Sequence, residues 1–121
     1  MPGYSGAMSE AAYDLSEDRK YTRDYKEATP DILAAFVAFD AAVFAEEGRE
    51  IPAKYRQLIA LGVALTTQCV YCIESHSKAA VKAGASTAEI AEAGWVAAAL
   101  RAGGAYAHGR LAFKFSGLHE H

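Results

Sequence analysis

The stretch TTQCVYCIESHSKAA, Thr66 to Ala80, holds both cysteines of the 121-residue chain, and a histidine follows four places after the second. On a helix, Cys69 and Cys72 are three apart and Cys72 and His76 four apart, so all three line one face. Two cysteines at that spacing are close enough to close a disulfide and reopen it. The nucleophile in such exchange is the thiolate, and a free thiol with a pKa of about 8.5 is mostly protonated near neutrality. Bringing it to about 7 takes about 2 kcal/mol of preferential stabilisation of the anion. A helix N-terminus supplies about 0.3–1 kcal/mol within its first turn, and this favours Cys69. His76 favours Cys72, because a base in contact with one sulfur can take its proton and then pair with the thiolate. The second effect also gives the proton a destination, so Cys72 is expected to be the attacking sulfur and Cys69 the resolving one.

Other chemistries fit the same residue types. A close cysteine pair can be two small buried side chains, since free cysteine packs as a hydrophobe. Zinc is a sharper rival: Cys69, Cys72, His76 and His108 make a four-ligand set of acceptable atom types. Against it, a half-site on one continuous helix is unusual and His108 has no close second ligand. Covalent haem attachment needs histidine directly after the second cysteine, and Ile73 stands there.

The elements that must position this face read as helices throughout. Alanine is abundant, prolines number three, and no run of alternating β-branched residues occurs. DLSEDRKYTRDYKEA forms a short charged helix. Pro30 suits the first turn of a long helix reaching Glu47, with Ile32, Leu33, Phe36, Val37, Val43 and Phe44 on one stripe and Gly48 as its stop. Pro52 restarts the chain, and Tyr55–Leu65 is apolar nearly all round. A break near Thr67 precedes the cysteine helix, which runs to Ala83 and stops at Gly84. Ser86 and Glu89 form a capping box for a helix from Glu89 to Arg101. Gly103 and Gly104 are expected to break it, leaving AYAHGRLAFKF as a last helix. The expectation is one all-α domain of about six helices over residues 13–117, with a frayed segment 1–12 and a polar tail 118–121. Trp95, Phe113 and Phe115 are expected in the core of this domain, with contact between subunits as the alternative.

Composition bounds the function. Apolar residues make up 52% and charged residues 22%, which suits a globular chain that can bury a core. A formal net charge of −3 gives no electrostatic footprint for nucleic acid, and no basic run marks a membrane surface. No apolar run approaches the roughly 20 residues that cross a bilayer. MPGYSGAMSEAAYD has neither the basic nor the apolar part of a secretory signal. A cytoplasmic location is therefore expected, where a close cysteine pair is more often redox-active or metal-binding than a permanent staple.

The segment IPAKYRQLIALGVALTTQCVYCIESHSKAAVKAGASTAEIAEAGWVAAALRAGGAYAH, Ile51 to His108, resembles the carboxymuconolactone decarboxylase superfamily, in the branch similar to alkylhydroperoxidase D. The likeness rests on the C-x-x-C-x-x-x-H core, the helix before it and the KAGAS…EIAEA segment after it. It implies an all-α fold assembling into homotrimers or homohexamers, with the site near a subunit interface. It also implies a thiol-dependent peroxidase or disulfide reductase with no bound cofactor. Cys72 would attack a hydroperoxide, Cys69 would condense with the sulfenic acid, His76 would relay the proton, and an external dithiol would reset the pair. The family pattern has a glutamate twelve residues before the first cysteine, where this chain has Gln57. An amide can orient His76 but cannot accept a proton near neutrality. Either a nearby carboxylate substitutes (Glu74, Glu46, Glu47 or Glu50) or the thiolate forms with less help and the peroxidase is weaker. His108 closes the resemblance, either as a partly buried histidine or as part of the site. Tyr71, between the cysteines, points off their stripe and is expected to pack or to wall a pocket.

Two further functions remain open at this level. One is the lactone decarboxylation that names the superfamily, which needs an acid or base and cationic groups and would leave the cysteines unexplained. The other is a non-enzymatic helical oligomer carrying a structural disulfide or zinc.

Overall fold

The computed structural model describes residues 13–118, all helical or connecting, with no strand among them. A one-turn helix α1 (Leu15–Asp18) leads through a 3-10 turn (Arg19–Tyr21) into α2 (Thr22–Ala28). Four longer helices follow: α3 (Pro30–Val43), α4 (Ala53–Thr67), α5 (Val70–Lys82) and α6 (Thr87–Ser116). The segment 1–12 expected to fray, and most of the polar tail, lie outside the described residues.

Local signals account for most of the boundaries. Asp14 caps α1, its carboxylate accepting the Glu17 N–H at 3.2 Å. Pro30 occupies the first turn of α3, where its missing N–H costs nothing. At the start of α6 the Ser86 hydroxyl accepts the Glu89 N–H at 3.1 Å, and the Glu89 carboxylate accepts the Ser86 N–H at 2.9 Å. At Gly84 (φ +100°) the Ala85 N–H reaches back to the Ala80 carbonyl at 2.9 Å, which ends α5 in a Schellman turn. The same turn ends α4, where the Cys69 N–H donates to the Ala64 carbonyl at 3.0 Å. There the left-handed position is held by Gln68 (φ +57°) and not by glycine.

The interhelix bonds fix how the elements run. Gln57 on α4 pairs with His76 on α5, and the two helices are joined by the tight turn at Gln68, so they form an antiparallel hairpin. The Lys54 ammonium meets the Glu89 carboxylate at 2.9 Å, and the Arg101 guanidinium donates to the Thr66 carbonyl. Both pairs join α4 to α6 at the same offset of 35 residues, so these two helices run parallel. Helix α4 is therefore central. Among the described residues the buried side chains, Leu61, Ala64, Ala80 and Ala97, all lie in α4, α5 and α6. Three of the four are alanine, which lets the helix backbones approach closely but removes little apolar area per residue.

Two expectations are corrected here. Gly103 and Gly104 do not break the chain, because α6 runs through them as a single helix of 30 residues. Each glycine costs a helix about 1 kcal/mol relative to alanine, and the surrounding AALRA and AYA sequences, rich in the best helix formers, carry the ladder across. Trp95, Phe113 and Phe115 are not in a core of this chain: they are 75%, 68% and 76% exposed. Beyond Arg101, the large apolar residues of α6 are exposed, among them Tyr106, Phe113 and Phe115. In addition, α3 ends at Val43 rather than Glu47, and Gly48 (φ +75°) shapes the loop that follows.

That loop is held by two arginines. The Arg49 guanidinium donates to the Ala42 and Gly48 carbonyls. Arg56, on the first turn of α4, donates to the Ile51 carbonyl at 2.9 Å, the Val43 carbonyl at 2.8 Å and the Ala45 carbonyl at 2.5 Å. Backbone groups outside the helices are thereby satisfied by charged donors, which form the stronger class of hydrogen bond.

A non-glycine residue in the left-handed region pays about 1 kcal/mol. Gln68→Gly is accordingly expected to stabilise the protein by about that amount, read as a rise in Tm, and Gln68→Val to lower it.

Candidate functional site

The turn through Gln68 delivers Cys69 to the N-cap of α5, in extended conformation (φ −89°, ψ 95°). Its Sγ accepts the Cys72 N–H at 3.3 Å, so a sulfur does the capping more often done by a serine or aspartate oxygen. Cys69 and Cys72 are joined as a disulfide, with Cα atoms 5.2 Å apart. Both are half-buried. The first turn of α5, with its free N–H groups and positive dipole end, therefore surrounds the pair, an environment that favours a thiolate once the bond is reduced.

His76 sits one turn beyond Cys72 on the same face, half-buried. Its Nδ1 lies 2.7 Å from the Gln57 Oε1. With the carbonyl oxygen of the amide as partner, Nδ1 carries the proton and donates, which leaves the Nε2 lone pair free. The Phe44 ring packs on the imidazole with centroids 4.8 Å apart and planes at 33°. The residue at the family's glutamate position is thus bonded to the histidine directly. None of the carboxylates considered as substitutes reaches it: Glu74 faces Lys78 at 3.6 Å, and Glu46, Glu47 and Glu50 are exposed.

His108 is not brought to this site. It is exposed on the overhanging half of α6, and its Nδ1 donates to the Gly104 carbonyl at 3.0 Å. The four-ligand zinc set is accordingly not assembled, and among the described residues no group of three or more His, Cys, Asp or Glu side chains stands close enough to hold a metal ion.

Tyr71 does face away from the cysteine stripe. Its hydroxyl donates to the Asp18 carboxylate at 2.6 Å, and Tyr13 packs edge-on against its ring at 5.6 Å. This ties α1 to the first turn of α5 and walls a cleft shared with Leu15, Tyr21 and Tyr25. Sequence reading placed Asp18 only within a charged helix. Nothing local marks a carboxylate for a tyrosine 53 residues away. Phe44 and Arg56 were missed in the same way, the first as one member of an apolar stripe.

With this geometry in view, the chain can be set beside known proteins. The model of the carboxymuconolactone decarboxylase family matches residues 30–115. The chain belongs to that family. A protein of Paracoccus denitrificans described as uncharacterized protein 4 in its cox locus is 49% identical over 78 residues, covering 64% of this chain and 68% of the relative. An uncharacterized protein of Haemophilus influenzae is 51% identical over 51 residues, covering 42% and 43%. Among solved structures, a carboxymuconolactone decarboxylase family protein from Legionella pneumophila, in its apo form, superposes with a TM-score of 0.64. At 23% identity over 71% of this chain and 75% of that one, this likeness speaks for the fold alone. The family match covers all of α3 to α5 and nearly all of α6, which include the cysteine pair, His76 and Gln57. No described helix is long and apolar enough to cross a membrane.

Among the electrostatic contacts, the hydrogen bond to Asp18 pushes the Tyr71 phenol above its ordinary value of 10.0, with desolvation acting in the same direction. The sign follows: a folded-state value that is raised contributes fully below 10.0 and is lost as pH climbs through the raised value. The tether of α1 is therefore expected to weaken in that alkaline window. Asp18→Ala should move the Tyr71 titration, followed by ring NMR, back down towards 10, and an unmoved midpoint would show the contact to be absent in solution.

Proposed function

We propose that this protein is a thiol-dependent peroxidase or disulfide oxidoreductase of the alkylhydroperoxidase D-like kind, working through Cys69, Cys72 and His76. The carrying observation is the disulfide between Cys69 and Cys72 at the N-terminus of α5, one turn from a histidine whose Nε2 lone pair is free. In the reduced enzyme Nε2 takes the Cys72 proton. The thiolate attacks the outer oxygen of a hydroperoxide ROOH, the O–O bond breaks, and the departing alkoxide takes the proton back from His76 as ROH. Cys72 is left as the sulfenic acid. The Cys69 thiol then attacks that sulfur, the S–O bond breaks, water leaves, and the disulfide forms. An external dithiol, from a protein or a small thiol, reduces it by two successive exchanges and is itself oxidised to a disulfide. No resident cofactor enters this cycle, and a substrate disulfide in place of the hydroperoxide would use the same sulfurs.

Gln57 sets the strength of the chemistry. It orients His76 but offers no carboxylate to balance the imidazolium that forms, so the reading is of a modest peroxidase. Lactone decarboxylation is less well supported, since the cystine would be idle in it.

The test is a series of variants assayed for hydroperoxide consumption with a dithiol present. Cys72→Ser should abolish turnover. Cys69→Ser, oxidised with the dithiol left out, should consume one equivalent of hydroperoxide and stop with a trappable sulfenic acid. Gln57→Glu should raise the rate by about tenfold. Undiminished turnover in Cys72→Ser would sink the assignment.

The reading includes a homo-oligomer, trimeric or hexameric as in the family it resembles. It is supported by the apolar groove of about 410 Å³ between α4 and α6, where Ile59, Val63, Val96 and Leu100 remain largely exposed. Exposed apolar surface on this scale usually marks an interface. Light scattering is expected to give three or six chain masses, and a monomer would refute it.

A further inference from the structure

We propose that Phe44 is a positioning residue for His76, holding the plane of the imidazole while Gln57 holds its edge; the inference rests on the thiol reading above only for its kinetic part. A hydrogen bond through Nδ1 fixes one point of the ring but leaves it free to swing about that bond. A second contact, on the face, is needed to aim Nε2 in one direction along the cysteine stripe. Phe44 supplies it, half-buried, with its centroid 4.8 Å from that of His76 and the two planes at 33°.

Phe44 is itself held with more care than a loop aromatic needs for packing alone. It caps the C-terminus of α3, its N–H donating to the Asp40 carbonyl at 3.1 Å. The carbonyls immediately before and after it, of Val43 and Ala45, both accept from Arg56. Arg56 is the chain neighbour of Gln57. One turn of α4 therefore grips the histidine twice: directly through the amide, and indirectly through the guanidinium that pins the backbone on either side of Phe44. Most of the apolar stripe on α3, including Ile32, Phe36 and Val37, is exposed. Phe44 is set apart by resting on the imidazole.

The experiment uses the full-length reduced protein. Phe44→Leu keeps an apolar side chain but removes the aromatic face. Phe44→Tyr restores the face, and thermal melting and circular dichroism confirm folding of each. In wild type the 15N shifts of His76 should report a single tautomer with the proton on Nδ1. In Phe44→Leu they should move towards the mixture of a mobile ring, and the rate of Cys72 oxidation by hydroperoxide should fall by about tenfold in kcat with KM little changed. Phe44→Tyr should recover both. If Phe44→Leu does not fold, Phe44→Met, similar in volume and without a ring face, makes the same comparison. A folded Leu or Met variant with the wild-type His76 spectrum and rate overturns the proposal. If wild type consumes no hydroperoxide and the His76 signal still changes in Phe44→Leu, the positioning stands and only the peroxidase reading falls.

Discussion

The hydrogen bond between Gln57 and His76 is the constraint on which the site depends. It crosses from α4 to α5, so it exists only when the antiparallel hairpin has closed in the right register. A slip of one residue in either helix rotates its face by about 100° and separates the two side chains. His76 stands one turn beyond Cys72 on α5 and packs against Phe44. Chemistry and packing therefore answer to one geometric condition, set by the short turn between the helices. An amide in this position has a particular consequence. It selects which ring nitrogen carries the proton, as a carboxylate would, but without a negative charge to balance an imidazolium.

The turn itself carries strain in order to meet that condition. Gln68 occupies a left-handed conformation that glycine holds at the matching end of α5. In exchange, the chain reverses within two residues and Cys69 emerges extended, its sulfur directed at the N–H of Cys72. The cystine thus lies at the positive end of α5, and one of its sulfurs caps that helix. Cys69 is helix cap and half of the cystine at once.

Away from the hairpin the chain is sparingly packed. Among the described residues the buried side chains other than Leu61 are alanines, and large apolar residues on α3, α4 and the outer half of α6 face outward. Alanine-rich helices explain this physically: close backbone approach leaves little volume for side chains to interdigitate, so the larger residues are displaced to the outer faces. The ion pair of Lys54 with Glu89 and the bond of Arg101 to Thr66 then matter as register marks along α4 and α6. Being exposed or partly exposed, they contribute little stability each.

What could be read from the sequence were features set by residues close together in the chain. The C-x-x-C-x-x-x-H spacing put three side chains on one face, Ser86 and Glu89 wrote their capping box, Gly84 ended its helix, and Gln57 stood where a partner for His76 was expected. The first three depend on backbone geometry repeating over one or two turns, and the place of Gln57 came from the family resemblance. The tertiary structure decided the rest. Gly103 and Gly104 are absorbed into one long helix because helix-forming neighbours outweigh two local penalties. Trp95, Phe113 and Phe115 stand outside because hydrophobicity states a need for burial without naming the surface that meets it. Phe44 joins His76, and Asp18 joins Tyr71, across 32 and 53 residues, where no periodicity reaches. Such pairs arise only when several helices pack at once, since their contact is a property of the assembly and of no single segment.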